Sequence, residues 1–131
     1  MVDFREVGHW LFFSYIFFFE DMTMLENKYQ AQLISKIKKR FPGCIVMKND
    51  SSYIQGIPDL TILYKKKWAT LECKKSQKES HRPNQDYYVN EMNKMSFSSF
   101  IYPENEEEVL NEMERSFIRR ARRKSCISRS E

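Results

Sequence analysis

Two short stretches of this sequence hold residue types that can do chemistry together. Pro58-Asp59 is followed, after twelve intervening residues, by Glu72-Cys73-Lys74. Successive side chains of a strand point to opposite faces. If Trp68 to Lys74 is extended, Trp68, Thr70, Glu72 and Lys74 share one face while Ala69, Leu71 and Cys73 share the other. Asp59 stands at the entrance of the preceding apolar run, Leu60 to Tyr64. There Pro58 can begin a strand without losing a ladder hydrogen bond, and Gly56 can take a backbone shape that other residues resist. Whether Asp59 meets Glu72 is a question of register. A two-residue loop, Lys65-Lys66, sets Tyr64 opposite Lys67 and, counting back, Asp59 opposite Glu72. A three-residue loop would pair Asp59 with Cys73 and turn it to the wrong face, so the sequence predicts an even loop or a bulge that restores the parity. Two facing carboxylates repel unless a cation lies between them, and hard oxygen ligands with open positions suit Mg²⁺ or Mn²⁺. Lys74 beside them is a proton donor and a stabiliser of negative charge. Glu26 adds a third carboxylate: at 100° per residue it falls within about 60° of Tyr29, Leu33 and Ile37 on a helix.

The elements that must position these groups follow from apolar periodicity. From Glu26 to Arg40, Tyr29, Leu33, Ile37 and then Phe41 recur at a four-residue step with Ile34 beside them, which predicts an amphipathic helix stopped by Pro42-Gly43. Cys44 to Lys48 is β-prone, and Asn49 to Gln55 is a polar loop. Leu60 to Tyr64 and Trp68 to Lys74 form a hairpin with a basic tip at Lys65-Lys66-Lys67. Pro83 opens a helix carrying Tyr87, Tyr88, Met92 and Met95, Phe97 to Tyr102 is a further strand, and Glu106 to Arg120 a last helix. That helix has acids in its first turn and arginines in its last, which suits its macrodipole. The order is α-β-β-β-α-β-α without an internal repeat, an α/β fold with a central mixed sheet flanked by helices.

Composition bounds what this unit can be. The chain has 131 residues with 22 Lys plus Arg against 18 Asp plus Glu, a formal +4, and is 41% hydrophobic and 31% charged. That suits one soluble domain. The charge is unevenly placed: from Arg115 onward seven basic residues face one acid, a local +6; between Lys36 and Arg82 twelve face four, +8; between Asp86 and Glu114 only Lys94 opposes eight acids, −7. A basic and an acidic half suggest one face for a polyanion. Cys44, Cys73 and Cys126 show no CxxC spacing, and His9 and His81 are far apart, so neither a zinc site nor a disulfide framework is expected and the chain reads as cytoplasmic.

The ends differ from the middle. Residues 10–19 hold seven of the chain's 19 aromatics, yet ten apolar residues are fewer than the roughly 20 a membrane-spanning helix needs. Residues 1–23 read as a hydrophobic extension outside the fold, with an interfacial membrane anchor as the competing reading. Residues 24–118 read as the domain proper. Residues 119–131, basic and rich in Ser, read as a disordered tail able to touch phosphates.

The runs Gly56-Ile-Pro-Asp-Leu60, Leu71-Glu-Cys-Lys-Lys-Ser76 and Arg82-Pro-Asn-Gln-Asp-Tyr-Tyr88 resemble the PD-(D/E)XK nucleases. Within them they resemble the small stand-alone VRR-NUC nucleases often found in phages, which include resolvases of four-way (Holliday) DNA junctions. The resemblance covers about Leu25 to Phe117. It implies a restriction-endonuclease-like αβββαβ core in which Asp59, Glu72 and the backbone carbonyl of Cys73 ligate Mg²⁺ or Mn²⁺, one ion or two, with Glu26 completing the site directly or through water. Lys74 would position or deprotonate the attacking water, and Gln85 would point to the site. Lys75, Lys78, His81 and Arg82, with the tip Lys65, Lys66 and Lys67, would hold DNA phosphates. A lysine-rich turn is also ordinary solvated surface, and His81 is equally a plain loop residue. The implied protein is a metal-dependent endonuclease acting on branched DNA as a homodimer without a membrane. A binding module of the same fold that lacks catalysis, and a membrane-associated small protein organised by residues 10–19, are the alternatives.

Overall fold

The structure, a computed structural model, describes residues 25–127, with side chains as far as Arg119. Helix α1, residues 25–40, carries Leu33 and Ile37 inward with no exposed surface. It ends where Phe41 N–H still donates to the Ile37 carbonyl (2.9 Å) and Gly43 takes a left-handed φ of 86°. Strands β1 (Ile45–Lys48), β2 (Leu60–Tyr64) and β3 (Lys67–Cys73) follow, then α2 (Pro83–Met95), β4 (Phe97–Ile101) and α3 (Glu106–Ile127). The four strands lie in the order β1-β2-β3-β4. The first two pairings are antiparallel, while β3 and β4 run parallel, with α2 as the crossover. This is the α/β arrangement of mixed sheet and flanking helices that the pattern predicts.

Register at the hairpin decides the site. Tyr64 pairs with Lys67 and Leu60 with Leu71, so the loop is the two residues Lys65-Lys66, with Lys65 at a left-handed φ of 57°. The parity the sequence requires is therefore present, and one step beyond the ladder Asp59 comes level with Glu72.

The two faces of the sheet differ in kind. Leu60, Ile62, Ala69, Leu71, Cys73 and Ile101 pack against α1 and α3, whose Leu33, Ile37, Leu110, Met113 and Phe117 complete the core. Charge ties those two helices at their rims: Lys36 pairs with Glu106 and Arg40 with Glu114, each at 2.7 Å. The opposite face of β3 and β4 carries a buried polar row, Thr70, Glu72 and Lys74 beside Ser98, with α2 packed against the same two strands. Thr70 donates to Ser98 Oγ at 2.8 Å, which satisfies that end of the row.

Two expectations need correction. Lys67 begins β3 instead of belonging to the tip. The last helix does not stop at Arg120; it runs to Ile127 and takes in most of the segment read as a disordered tail. The physical reason is composition: Arg, Lys and Ala are strong helix formers, and cations suit a helix C-terminus, so the helix needs no apolar stripe to continue. The hydrophobic stretch at residues 10–19 lies outside the described residues.

Because Leu71 is fully buried and Met47 is 43% exposed, Leu71→Ala should lower the unfolding free energy by about 2–5 kcal/mol in urea titrations, and Met47→Ala should change it by less than about 0.5 kcal/mol.

Candidate active site

The site lies where β2 begins and β3 ends. Its first wall is the loop entering β2. Gly56 sits at φ 90°, and a Cβ there would meet Asn84 Cβ at 2.4 Å and its carbonyl carbon at 2.8 Å. The loop thus rests directly on the first turn of α2, an approach that only glycine permits. Asn49, just after β1, fixes the next residues from the other side. Its N–H donates to the Asp59 carbonyl and its Nδ2 to the Pro58 carbonyl, both at 2.8 Å. Asp59 Oδ2 in turn accepts the Cys73 N–H at 2.9 Å, which brings its carboxylate to the end of β3.

The second wall is β3 itself. Glu72 and Lys74 are nearly buried, at 3% and 5% exposure. Lys74 N–H donates to the Ile101 carbonyl at 2.8 Å, which carries the parallel ladder one residue past Cys73 and holds both side chains on the polar face. The Cys73 side chain faces the core as expected, and burial, then Asp59 and Glu72, push its thiol pKa up, leaving it neutral and inert.

The third wall is the start of α2. Gln85 Oε1 accepts from Lys74 Nζ (2.8 Å) and from the Arg82 N–H (3.0 Å). With its oxygen so committed, Gln85 Nε2 donates to Glu72 Oε1 at 2.7 Å. The same amide caps the helix and joins the buried acid to the buried base. Lys74 Nζ also donates to the Ser80 carbonyl at 3.3 Å.

Together these walls enclose a polar cavity of about 940 Å³ that Glu26, Asp59, Glu72, Lys74 and Gln85 all line. Its electrostatics are those of crowded acids. Burial, then the charge of Asp59, raises Glu72 to about 8 against an ordinary 4.5, although Lys74 pulls the other way. Burial also raises Asp59, despite the Cys73 N–H and Lys74, and burial followed by Glu79 and Asp59 raises Glu26. Glu72 Oε2 is buried without a hydrogen-bond partner. An orphaned carboxylate oxygen beside a second carboxylate suits a hard divalent cation, which would lower all three values at once. Among the described residues no three His, Cys, Asp or Glu side chains gather as a ready-made cage, so an ion here would rest on the facing pair with carbonyl and water oxygens.

The cationic residues divide into two groups. Arg82 lines the cavity, and Lys75 and Lys78 lie in the turn between β3 and α2, whose backbone Glu79 Oε2 holds by accepting the Lys75 N–H at 2.6 Å. His81 stacks on Phe100 with ring centroids 3.8 Å apart and places Nδ1 3.0 Å from Asp86 Oδ1, which makes it a packing residue. Lys65 and Lys66 stand at the other end of β3, about 20 Å away at strand rise. Lys67 Nζ is engaged by the Phe117 carbonyl. The residues that sequence reasoning passed over are Asn49 and Glu79. Polar loop residues of this kind carry no periodic signal, and only the local bonds of the fold reveal them.

A solved structure described as a VRR_NUC domain matches this chain with a TM-score of 0.52 and 21% identity, over 66% of this chain and 95% of that chain. No family model and no curated protein matches the chain. The structural likeness establishes the restriction-endonuclease-like, VRR-NUC type of fold that the sequence resemblance implied.

A carboxyl whose pKa rises on folding stabilises the fold fully below its unfolded value, and that stabilisation is lost as pH climbs through the folded value. In EDTA, therefore, Tm should fall between about pH 5 and pH 9 as Glu72 ionises through about 8. Glu72→Gln should flatten that dependence in thermal melts; an unchanged slope would show that Glu72 does not carry it.

Proposed function

We propose that this protein is a divalent-metal-dependent endonuclease that hydrolyses DNA phosphodiester bonds, selective for branched DNA such as four-way junctions, and acts as a cytoplasmic homodimer. The observation that supports the chemistry is the buried, unpartnered Oε2 of Glu72, held level with Asp59 and linked by Gln85 to Lys74.

Asp59, Glu72 and the Cys73 carbonyl would hold Mg²⁺ or Mn²⁺, with Glu26 reaching it through water. When bound, such an ion polarises the phosphate and makes its water a better nucleophile. The remaining work belongs to the chain. Lys74 carries three N–H donors, of which Gln85 Oε1 and the Ser80 carbonyl take two. The third is left for the attacking water or for the oxygen on which charge grows in the transition state. Gln85 bridges the Lys74 ammonium and the Glu72 carboxyl by holding each with a different atom, and the two make no direct ion pair. Arg82, on the cavity rim, meets the phosphate backbone without reading bases. Selectivity for junctions and the dimer both rest on the family resemblance: cutting such a junction symmetrically requires two equivalent sites, which a twofold dimer supplies.

The test is cleavage of four-way junction, flap, single-stranded and linear duplex DNA side by side with Mg²⁺. Glu72→Gln or Asp59→Asn should lower the rate by at least about 100-fold, the scale of losing a group that stabilises transition-state charge. Either change should keep or tighten DNA binding in gel shifts, since negative charge beside phosphate is removed. Undiminished cutting would refute the assignment, and junction cutting no faster than duplex cutting would remove the branched-DNA selectivity.

A further inference from the structure

A second cavity, about 420 Å³, lies between the end of α2 and the middle of α3. Asn93 lines it from α2, Phe97 from the start of β4, and Glu112, Arg115, Ser116 and Arg119 from α3. Phe97 pairs with Ala69, three residues before Glu72 on β3, so this cavity opens at least about 10 Å along the strand from the carboxylates.

The groups around it are mainly donors. Two guanidiniums one helical turn apart offer up to ten N–H bonds between them. Asn93 Oδ1 already accepts the Ser98 N–H at 3.1 Å, which leaves its NH₂ for a ligand, and Ser116 adds a hydroxyl. Glu112 and the carbonyl end of α2 oppose an anion here, but two full positive charges outweigh them. Lys94, the other cation with a described side chain on these two helices, is spent on Glu91. Arg115 and Arg119 make no ion pair or hydrogen bond among the described residues. Arg115 also borders a shallow depression with Glu108 and Glu114, yet pairs with neither. Beyond Arg119 the same helix continues through Arg120, Arg122, Arg123 and Lys124 with no acid among them.

We propose that Arg115 and Arg119, with Asn93 and Ser116, form a second phosphate site that grips the nucleic-acid backbone three or more nucleotides from the phosphate held at Asp59 and Glu72. The proposal rests on the nuclease reading and adds to it a second point of attachment. A polymer with a phosphate at every 3.4 Å of axis along each strand offers an anion to both cavities at once, as a mononucleotide does not. Two fixed points also set the direction in which the DNA leaves the site.

The experiment measures binding of a four-way junction by the full chain carrying Glu72→Gln, in EDTA, across a salt series. The Arg115→Gln/Arg119→Gln pair should reduce the magnitude of the slope of log K against log salt by about 2, at about 0.9 for each phosphate no longer neutralised. Arg115→Lys/Arg119→Lys should restore most of it, which a merely structural role in α3 would not predict, and thermal melts check that both pairs fold. Phosphate ethylation should cease to interfere three or more nucleotides from the cut and still interfere beside it. An unchanged slope, with a parent chain that binds and cuts, overturns the second site and leaves the nuclease reading standing. A parent chain that neither binds nor cuts DNA overturns both.

Discussion

Gln85 Nε2 donates to Glu72 Oε1 while its oxygen accepts from Lys74 and from the Arg82 N–H, and the geometry of the carboxylate end depends on that one amide. It fixes a buried acid and a buried base at bonding distance from a single group without letting them collapse into an ion pair. Because its oxygen also receives the Arg82 N–H, the start of α2 is clamped to the end of β3 through the same atoms. The loop bearing Gly56 then closes on Asn84 beside it, so that β2, β3 and α2 meet as one body. A buried polar network of this sort is stable only when nearly every member has a partner, and here the one atom left over, Glu72 Oε2, marks where the network expects something from outside.

The sheet separates two requirements that compete in a small protein. Its α1/α3 face is largely apolar and supplies the hydrophobic stabilisation, with aromatic contacts such as Phe41 against Phe117 at 5.6 Å closing one end. Its α2 face holds Thr70, Glu72 and Lys74, which cost free energy to bury and are retained on the polar side, where bonds to α2, Ser80 and Ser98 offset part of that cost. The acids repel one another in proportion to how well they are shielded from water, so the shielding that weakens the empty protein is what would make an ion bind tightly.

Most of the site's frame was legible in the sequence because strand parity is a strict rule. Asp59, Glu72 and Lys74 could be placed on one face by counting from Lys65-Lys66, and the observed pairing of Leu60 with Leu71 leaves that count intact. The fold order followed from periodicity for the same reason. What sequence could not show were contacts between segments that have no period: Asn49 pinning Pro58 and Asp59, Glu79 holding the turn at Lys75, and the clearance between Gly56 and Asn84. The C-terminal helix outruns its apolar spacing because an Arg- and Lys-rich segment can be helical on backbone propensity and end charge alone.

Cys73 belongs to two surroundings at once. Its peptide N–H serves Asp59, while its side chain lies among Leu60, Leu71 and Ile101 with 1% exposure. The polar site therefore meets that residue only through atoms every amino acid but proline possesses, and the core meets it only through its size. A position lodged between two side chains of the polar face can thus drift in identity, under the limits of the packed core on the far side of the sheet, without moving its neighbours. The letter written there records the volume of the space beneath the strand and carries no information about the chemistry above it.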